Sequence, residues 1–279
     1  MEAEPDEHDL EVEQLRDLVR QLPQAGSIDD AIGLINGVPA SARATDDVLL
    51  EVLASLWDHF QIVELPTVDL PPQVELTAAS WLSIVYRQSA STGQLVHTGW
   101  SDGAVATARV AFEHAIYLSL IADGRDAVAL LDSLEGKFLT QTKSLVAMLP
   151  DSDELTAMWD DMLTDLDVPK DRRWVREVEK VTTRLATGEV LYAFYRMLSG
   201  ELHPGLGSIG PYMLREMVER RPAVPPRPIA SVHAMEVAVG SCVFAGWAID
   251  ELFDAPLFAP VVNPVAEKFN YVRLTRIED

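Results

Sequence analysis

The sequence has very little cysteine and few positive charges for a chain of 279 residues. Its single cysteine, Cys242, can form neither a disulfide within the chain nor a thiolate zinc site. We therefore expect a reducing, cytoplasmic location and a Cys242 that is simply a small buried apolar residue. The 22 basic residues are outnumbered by 44 acidic ones, and the net charge of −22 disfavours general nucleic-acid binding because phosphates are repelled.

Long apolar runs and the usual catalytic motifs are also missing. The longest apolar run, residues 237–249, is too short to span a bilayer and predicts a buried helix instead. None of the six histidines lies three residues after a glutamate, so a di-iron bundle is not expected, and His233 with Glu236 is only a weak metal signal. Glycine-rich phosphate loops and a Gly-x-Ser-x-Gly turn are absent too. The sequence therefore predicts no metal, no cofactor and no membrane partner.

Helical periodicity dominates the rest of the chain. Apolar residues recur at spacings of three and four through most of it, and no stretch alternates convincingly with period two. Helix-start signals such as Thr45-Asp46 and stop signals such as Gly124 bound the periodic segments. We expect an all-α bundle of about eight to ten helices without a substantial β-sheet.

Prolines and charge divide the chain into three predicted regions. Residues 1–70 form an N-terminal acidic helical region, which ends in the proline-rich stretch 65–73. Residues 74–253 are expected to be the main helical bundle. Residues 254–279 contain three prolines and are expected to be an irregular tail.

Positive charge is concentrated in one part of the chain. Residues 170–227 carry 11 basic and 7 acidic residues, so this segment has a charge of +4 while the remainder has −26. Because salt screens distant charges within about 8–10 Å, a locally basic surface on an acidic protein still attracts an anion. The alternative interpretation is that these bases pair with the acidic remainder or lie at an interface.

One helix within this basic segment, around Tyr192–His203, carries the most chemically capable side chains. On a helix with 3.6 residues per turn, five polar residues fall within an arc of roughly 100°. Together they can donate hydrogen bonds to an anion, move a proton near neutral pH or stack on a ring. They are Tyr192, Tyr195, Arg196, Ser199 and His203. The alternative is that they are buried and hydrogen-bonded to neighbouring helices.

A charged pair on a second helix is expected to complete this site. Arg109 and Glu113 lie four residues apart on one face of an otherwise apolar helix. A charge pair in such a helix needs polar partners, which the Tyr192–His203 face is able to supply. A purely structural Arg–Glu pair is the alternative.

Two sets of motifs resemble known families. Residues 107–113, Trp174 and the pattern Tyr192-x-x-Tyr195-x-x-x-Ser199-x-x-x-His203-Pro204 resemble an uncharacterised family of bacterial all-helical proteins, catalogued as a domain of unknown function. The match covers about residues 75–250. That family carries no established activity, so the resemblance implies a fold and no function.

The spacing of Arg196 and His203, Arg-x6-His, is similar to the motif of HEPN-type ribonucleases. This similarity implies metal-independent RNA cleavage in a basic pocket, which in those enzymes usually forms across a homodimer. The histidine would move a proton and the arginine would stabilise the charged phosphorane. Met197 and the overall acidity depart from that family.

The leading prediction is a non-enzymatic helical protein that binds a partner protein or a small anionic ligand. The binding residues would be Arg109, Glu113, Tyr192, Tyr195 and Ser199 on the two helices. The alternative is a HEPN-like ribonuclease or toxin-type protein with catalytic Arg196 and His203, and only this alternative takes nucleic acid as a partner. A third hypothesis, a purely structural subunit, requires Tyr192, Ser199 and His203 to be fully buried.

Overall fold

Helices account for almost all of the secondary structure that the computed structural model describes, which covers residues 46–98, 100–146, 153–165, 174–202 and 232–277. The predicted all-α bundle is confirmed there, and extended pairing in these ranges is limited to one bridge between Leu185 and Arg276. The described residues form nine helices: α1 Asp46–Ile62, α2 Pro72–His97, α3 Ser101–Ile121, α4 Ala127–Val146, α5 Asp153–Asp165, α6 Val178–Thr182, α7 Gly188–Leu202, α8 Val232–Leu252 and α9 Ala259–Phe269.

The centre of the bundle is α8, the helix predicted from the apolar run 237–249. Between Ala234 and Asp250 every side chain except that of Glu236 is buried, as expected for a helix that is apolar on all sides. The helix packs against α1, α2, α3 and α9. Cys242 lies on it and is fully buried, which confirms the prediction for this residue.

Small polar residues form hydrogen bonds between α2 and its neighbouring helices. The Ser89 hydroxyl donates to the Ala238 carbonyl of α8 at 3.1 Å, and the hydroxyls of Thr92 and Thr107 are 2.8 Å apart across the α2–α3 contact. The buried hydroxyls of Ser89 and Thr92 thus both have hydrogen-bond partners at these crossings.

One helix among the described residues, α3, is long and apolar enough to be a candidate membrane span. By length and composition Gly103–Ile121 is able to cross a membrane, with a mean hydropathy of 1.3, but 61% of it is buried inside the protein. Helix α3 packs between α2 and α8, which explains its apolar character. A buried core helix can have the same length and composition as a membrane helix.

A tight turn places α7 against α3. At Gly188, the first residue of α7, an added Cβ would lie 1.8 Å from the Thr182 carbonyl oxygen, so only glycine fits this position. The preceding Thr187 adopts a positive φ of 63°. The bridge between Leu185 and Arg276 ties the same turn to the end of the chain.

The expectation of an irregular tail over residues 254–279 is wrong, because this part of the chain contains helix α9. Pro260 lies in the first turn, where a missing N–H leaves no helical hydrogen bond unmade, and only Pro264 interrupts the interior. The buried Asp250 carboxylate accepts hydrogen bonds from the backbone N–H groups of Phe258 and Ala259, both at 2.7 Å. This interaction caps the start of the helix and explains why it begins there.

The helical structure is interrupted between α1 and α2, but α1 does not form a core of its own. Residues between α1 and α2 are not helical, as the prolines of 65–73 predict. Leu49, Leu53 and Leu56 of α1 nevertheless belong to the same apolar core as α8. Residues 1–45 lie outside the described part, and the three-region division stays a prediction.

Candidate functional site

The helix predicted to carry the site is continuous from Gly188 to Leu202. Its Leu191 and Leu198 are buried, and this apolar stripe holds the helix on the bundle. The rings of Tyr192 and Tyr195 stack beside that stripe, with centroids 6.3 Å apart and an interplanar angle of 18°. The spacing of three residues therefore places both phenols on one side of the helix.

Arg109 of α3 reaches this side and makes the contact that the sequence predicts. Its Nη2 donates to the Tyr195 hydroxyl at 2.8 Å, and its Nε donates to Glu113 Oε1 at 3.1 Å. The guanidinium also lies 4.9 Å from the centre of the Tyr195 ring. Two partners on two helices thus fix the orientation of Arg109, whose charged side chain is about three-quarters buried, at 24% exposure.

The other predicted residues with described positions do not join this contact. Tyr192 is half-buried and meets Tyr195 only by stacking. The Ser199 hydroxyl is half-buried and donates to the Tyr195 carbonyl of its own helix at 2.7 Å. Arg196 is exposed, and His203 lies outside the described residues. The purely structural hypothesis requires full burial of Tyr192 and Ser199, and neither residue is fully buried.

Arg109, Glu113 and Tyr195 border an open cavity of about 550 Å³ between α2, α3, α4, α6 and α7. Among the described residues that line it are three cations, two carboxylates, one histidine and three aromatic rings. This excess of positive charge contrasts with the net charge of −22 for the whole chain. Besides those three residues, its main polar and aromatic residues are Trp81, His114, Tyr117, Lys137, Arg176 and Glu177.

The basic wall of the cavity is held by the backbone. The Lys137 ammonium donates to the Arg176 carbonyl, and Arg176 Nε donates to the Ser133 carbonyl at 2.9 Å. These bonds join α4 to the segment before α6. Both cations therefore keep a fixed place beside the cavity.

Aromatic rings form a further part of the cavity wall. The ring of Trp81 is 5.9 Å from that of Tyr117 and meets the ring of His114 edge-on at 6.4 Å. The Tyr117 hydroxyl donates to the Val175 carbonyl at 3.0 Å. Burial, and then the nearby Glu113 and Tyr195, raise the pKa of Tyr117 well above its ordinary range, so it stays a neutral phenol at physiological pH.

His114 lies beside these rings and also lines the cavity. Its Nδ1 lies 2.8 Å from the Val110 carbonyl, and since a carbonyl only accepts, Nδ1 carries the hydrogen. In the neutral tautomer with a hydrogen on Nδ1, Nε2 is the acceptor. His114 is the one histidine among the described residues that line the cavity.

Several residues of this cavity were not predicted from the sequence. Tyr117 follows Glu113 at the same four-residue spacing that joined Arg109 to Glu113, so the helical face already contained the signal. Arg176 lies in the basic segment 170–227, whose positive charge already indicated an anion-attracting surface. Lys137 and Trp81 come from helices whose approach only the tertiary fold determines, and no local pattern marks them.

No group of three potential metal ligands occurs among the residues with described positions. Comparison with known proteins finds no matching family model, no matching curated protein and no matching solved structure. The resemblances to an uncharacterised helical family and to HEPN-type ribonucleases therefore stay predictions. The geometry of the cavity is the basis for the functional proposal.

Proposed function

We propose that this protein binds a small anionic ligand with an aromatic or planar part in the cavity beside Arg109. The observation that carries the proposal is the Arg109 guanidinium, held by Glu113 and Tyr195 at the edge of an aromatic-walled, cation-rich cavity. A guanidinium has five N–H donors, and these two hydrogen bonds use only two of them. The remaining donors suit a carboxylate or phosphate oxygen.

The cavity also has a suitable size and shape for such a ligand. Its volume of about 550 Å³ is in the range of small-molecule sites, which are typically 300–1,000 Å³. The rings of Trp81, Tyr117 and Tyr195 offer faces and edges to a planar group, while Lys137 and Arg176 add positive charge. We place this activity in the cytoplasm, on the basis of the single buried cysteine.

The ribonuclease alternative gains no support from the cavity. Arg196 is exposed and is not among the residues that line it, and His203 is outside the described part. Its own test is RNA cleavage in the presence of a chelator, in which activity that His203→Ala abolishes would favour the ribonuclease over a binding protein.

Titration calorimetry with small planar anions tests the proposal. Benzoate, indole-3-acetate and phenyl phosphate are titrated into wild type and into Arg109→Gln, with Arg87→Gln as a control on the exposed surface of α2. We expect at least one anion to bind wild type and Arg87→Gln equally, and Arg109→Gln about tenfold or more weakly, since a charged hydrogen bond contributes roughly 1.5–3 kcal/mol. Equal affinity in all three proteins would refute the assignment to Arg109, and so would the absence of binding by any probe.

A further inference from the structure

A second cavity, of about 460 Å³, lies between α3, α7, α8 and the segment that follows α9. Ten of its fourteen described lining residues are aliphatic or aromatic, whereas the Arg109 cavity is rich in charged side chains. On α3, Phe112 lines this cavity and the next residue, Glu113, lines the other. On α7 the same holds for Phe194 and Tyr195. The described linings share no residue, so the two cavities are separate sites.

The aromatic part of the cavity has a fixed arrangement. The rings of Phe244 and Tyr271 meet edge-on at 5.8 Å, and that of Phe269 lies 6.1 Å from Tyr271. Gly240 allows the Tyr271 ring to lie against α8, since an added Cβ would be 2.9 Å from its Cε1. The Tyr271 hydroxyl donates to the Glu236 carbonyl at 2.8 Å and holds the ring there. A ligand therefore meets rings that are already in place.

Hydrogen bonding within the protein leaves the cavity wall mainly apolar in character. The two hydroxyl groups of the described lining both donate to backbone carbonyls, that of Tyr271 to Glu236 and that of Thr187 to Ala186. No lysine, arginine or histidine is among the described residues of this lining. An acidic group on a ligand would thus lose its hydration here without meeting a cation. Apolar contact is therefore the main means of recognition that this wall offers.

Large apolar side chains remain exposed where the cavity opens. Val190 and Phe194, one turn apart on α7, are 56% and 37% exposed, and Val272 is 57% exposed. Exposed apolar side chains that cluster at a cavity are typical of a ligand site. A ligand that covers them removes apolar surface from water, which is the main driving force for binding an uncharged molecule.

We propose that this cavity binds a small neutral aromatic molecule of about two fused rings, which packs against Phe194, Phe244 and Tyr271. An apolar cavity of about 150 Å³ is enough for benzene, so about 460 Å³ accommodates a larger ring system. Aromatic pairs are favoured beyond the apolar area that they bury, because the positive edge of one ring meets the negative face of the other. This preference distinguishes an aromatic ligand from an alkyl chain of the same size.

Calorimetric titration of the full chain with three two-ring probes tests the class of ligand. At pH 7, 2-naphthol is neutral and aromatic, decahydro-2-naphthol is its saturated counterpart, and 2-naphthoate is the corresponding anion. All three are titrated into wild type and into Arg109→Gln, whose anion site lacks its guanidinium. We expect 2-naphthol to bind both proteins equally, and about two- to tenfold more tightly than the saturated alcohol, as aromatic pairing contributes.

The anion provides the test of neutrality. In Arg109→Gln, 2-naphthoate should bind at least about tenfold more weakly than 2-naphthol, since its carboxylate is desolvated without a partner. Equal affinities of these two probes in Arg109→Gln would overturn the proposal. So would equal affinities of 2-naphthol and the saturated alcohol in wild type, or the absence of 2-naphthol binding.

Replacements of Phe194 test where the aromatic probe binds. Phe194→Leu keeps an apolar side chain but removes the ring, and Phe194→Ala removes both. The matched control is Phe138→Ala on α4, because Phe138 is 61% exposed and is not in the described lining. Circular dichroism establishes that each variant is folded, and the conservative Phe194→Leu carries the test if Phe194→Ala does not fold.

The affinity for 2-naphthol should fall about two- to tenfold in both Phe194 variants and stay unchanged in Phe138→Ala. The saturated alcohol should bind Phe194→Leu and wild type equally, because it makes no aromatic pair. Unchanged 2-naphthol affinity in Phe194→Leu would refute the site, and an equal loss for both alcohols would refute the aromatic preference.

Discussion

Arg109 on α3 donates a 2.8 Å hydrogen bond to the hydroxyl of Tyr195 on α7, although the two residues are 86 positions apart in the sequence. This bond connects the core helix α3 to the helix that carries the stacked tyrosines. Glu113 completes the arrangement by accepting from the same guanidinium at 3.1 Å. The three residues therefore serve both the stability of the α3–α7 contact and the proposed anion site.

Removing the Tyr195 hydroxyl should weaken the fold modestly. Tyr195→Phe keeps the ring and the cation–π contact but loses the hydrogen bond from Arg109. We expect a loss of about 0.5–1.5 kcal/mol in the free energy of unfolding, measured by urea denaturation. Arg109→Gln and the double variant complete a mutant cycle, and a coupling energy indistinguishable from zero would show that the contact does not stabilise the protein.

The turn before α7 should tolerate substitution far less well than the Tyr195 position. In Gly188→Ala the new methyl group would overlap the Thr182 carbonyl oxygen, 1.8 Å away, so the backbone must move. We expect a loss of more than about 2 kcal/mol in unfolding free energy, together with weaker anion binding, because the position of Tyr195 depends on this turn.

The matched control for Gly188→Ala is Gly103→Ala. There an added Cβ would lie 3.5 Å from Leu95 in ordinary van der Waals contact, within α3. Alanine favours helix over glycine, so this variant should be neutral or more stable by up to about 1 kcal/mol. Equal effects of the two substitutions in thermal denaturation would contradict the steric argument.

Periodicity in the sequence predicted the elements well but their partners only in part. The all-apolar stretch of α8 could be buried only at the centre, and Arg109 with Glu113 had to share one face of α3. Lys137 and Arg176 meet across 39 residues, which depends on how α4 is docked, and no local pattern encodes that.

The C-terminal part was predicted incorrectly for a different reason. Proline count suggested an irregular tail, but the effect of proline depends on its position in a helix, and Pro260 occupies a first turn where it is tolerated. The Asp250 carboxylate that caps α9 lies eight residues before Phe258 and on another helix, so a local search for capping residues does not find it.

Removing the Asp250 cap measures how much this long-range interaction contributes to the free energy of unfolding. Asp250→Ala removes both acceptors of the Phe258 and Ala259 N–H groups and should lower the free energy of unfolding by about 2 kcal/mol. Glu251→Ala, an exposed neighbour on the same helix, should change it by less than about 0.5 kcal/mol in the same urea titration. A loss for Asp250→Ala no larger than that of the control would mean that α9 does not need this cap.

Alkaline pH should destabilise the protein through buried acids that ionise only after unfolding. Burial raises the pKa of the Cys242 thiol from 9.0 to about 12, and it also raises the pKa of Tyr86, Tyr117 and Tyr271 above 10.0. Between pH 9 and 12 the unfolded chain therefore holds fewer protons than the folded one, so stability falls as pH rises. Urea midpoints measured from pH 7 to 11 should decline above pH 9, and a Cys242→Ala variant should decline later. Stability that stays constant or rises through this range would contradict the burial of these groups.

The same burial should make Cys242 chemically silent in the native protein. A thiol is attacked only as its thiolate and only when a reagent reaches it, and Cys242 is fully buried with a pKa of about 12. At pH 8 a disulfide reagent such as dithionitrobenzoate should therefore react with the native protein no faster than the protein unfolds. In 6 M guanidinium chloride one thiol per chain should react within minutes, which provides the internal calibration. Rapid release of one equivalent from the native protein would place Cys242 at an accessible surface, and α8 would then not be the central helix of the bundle.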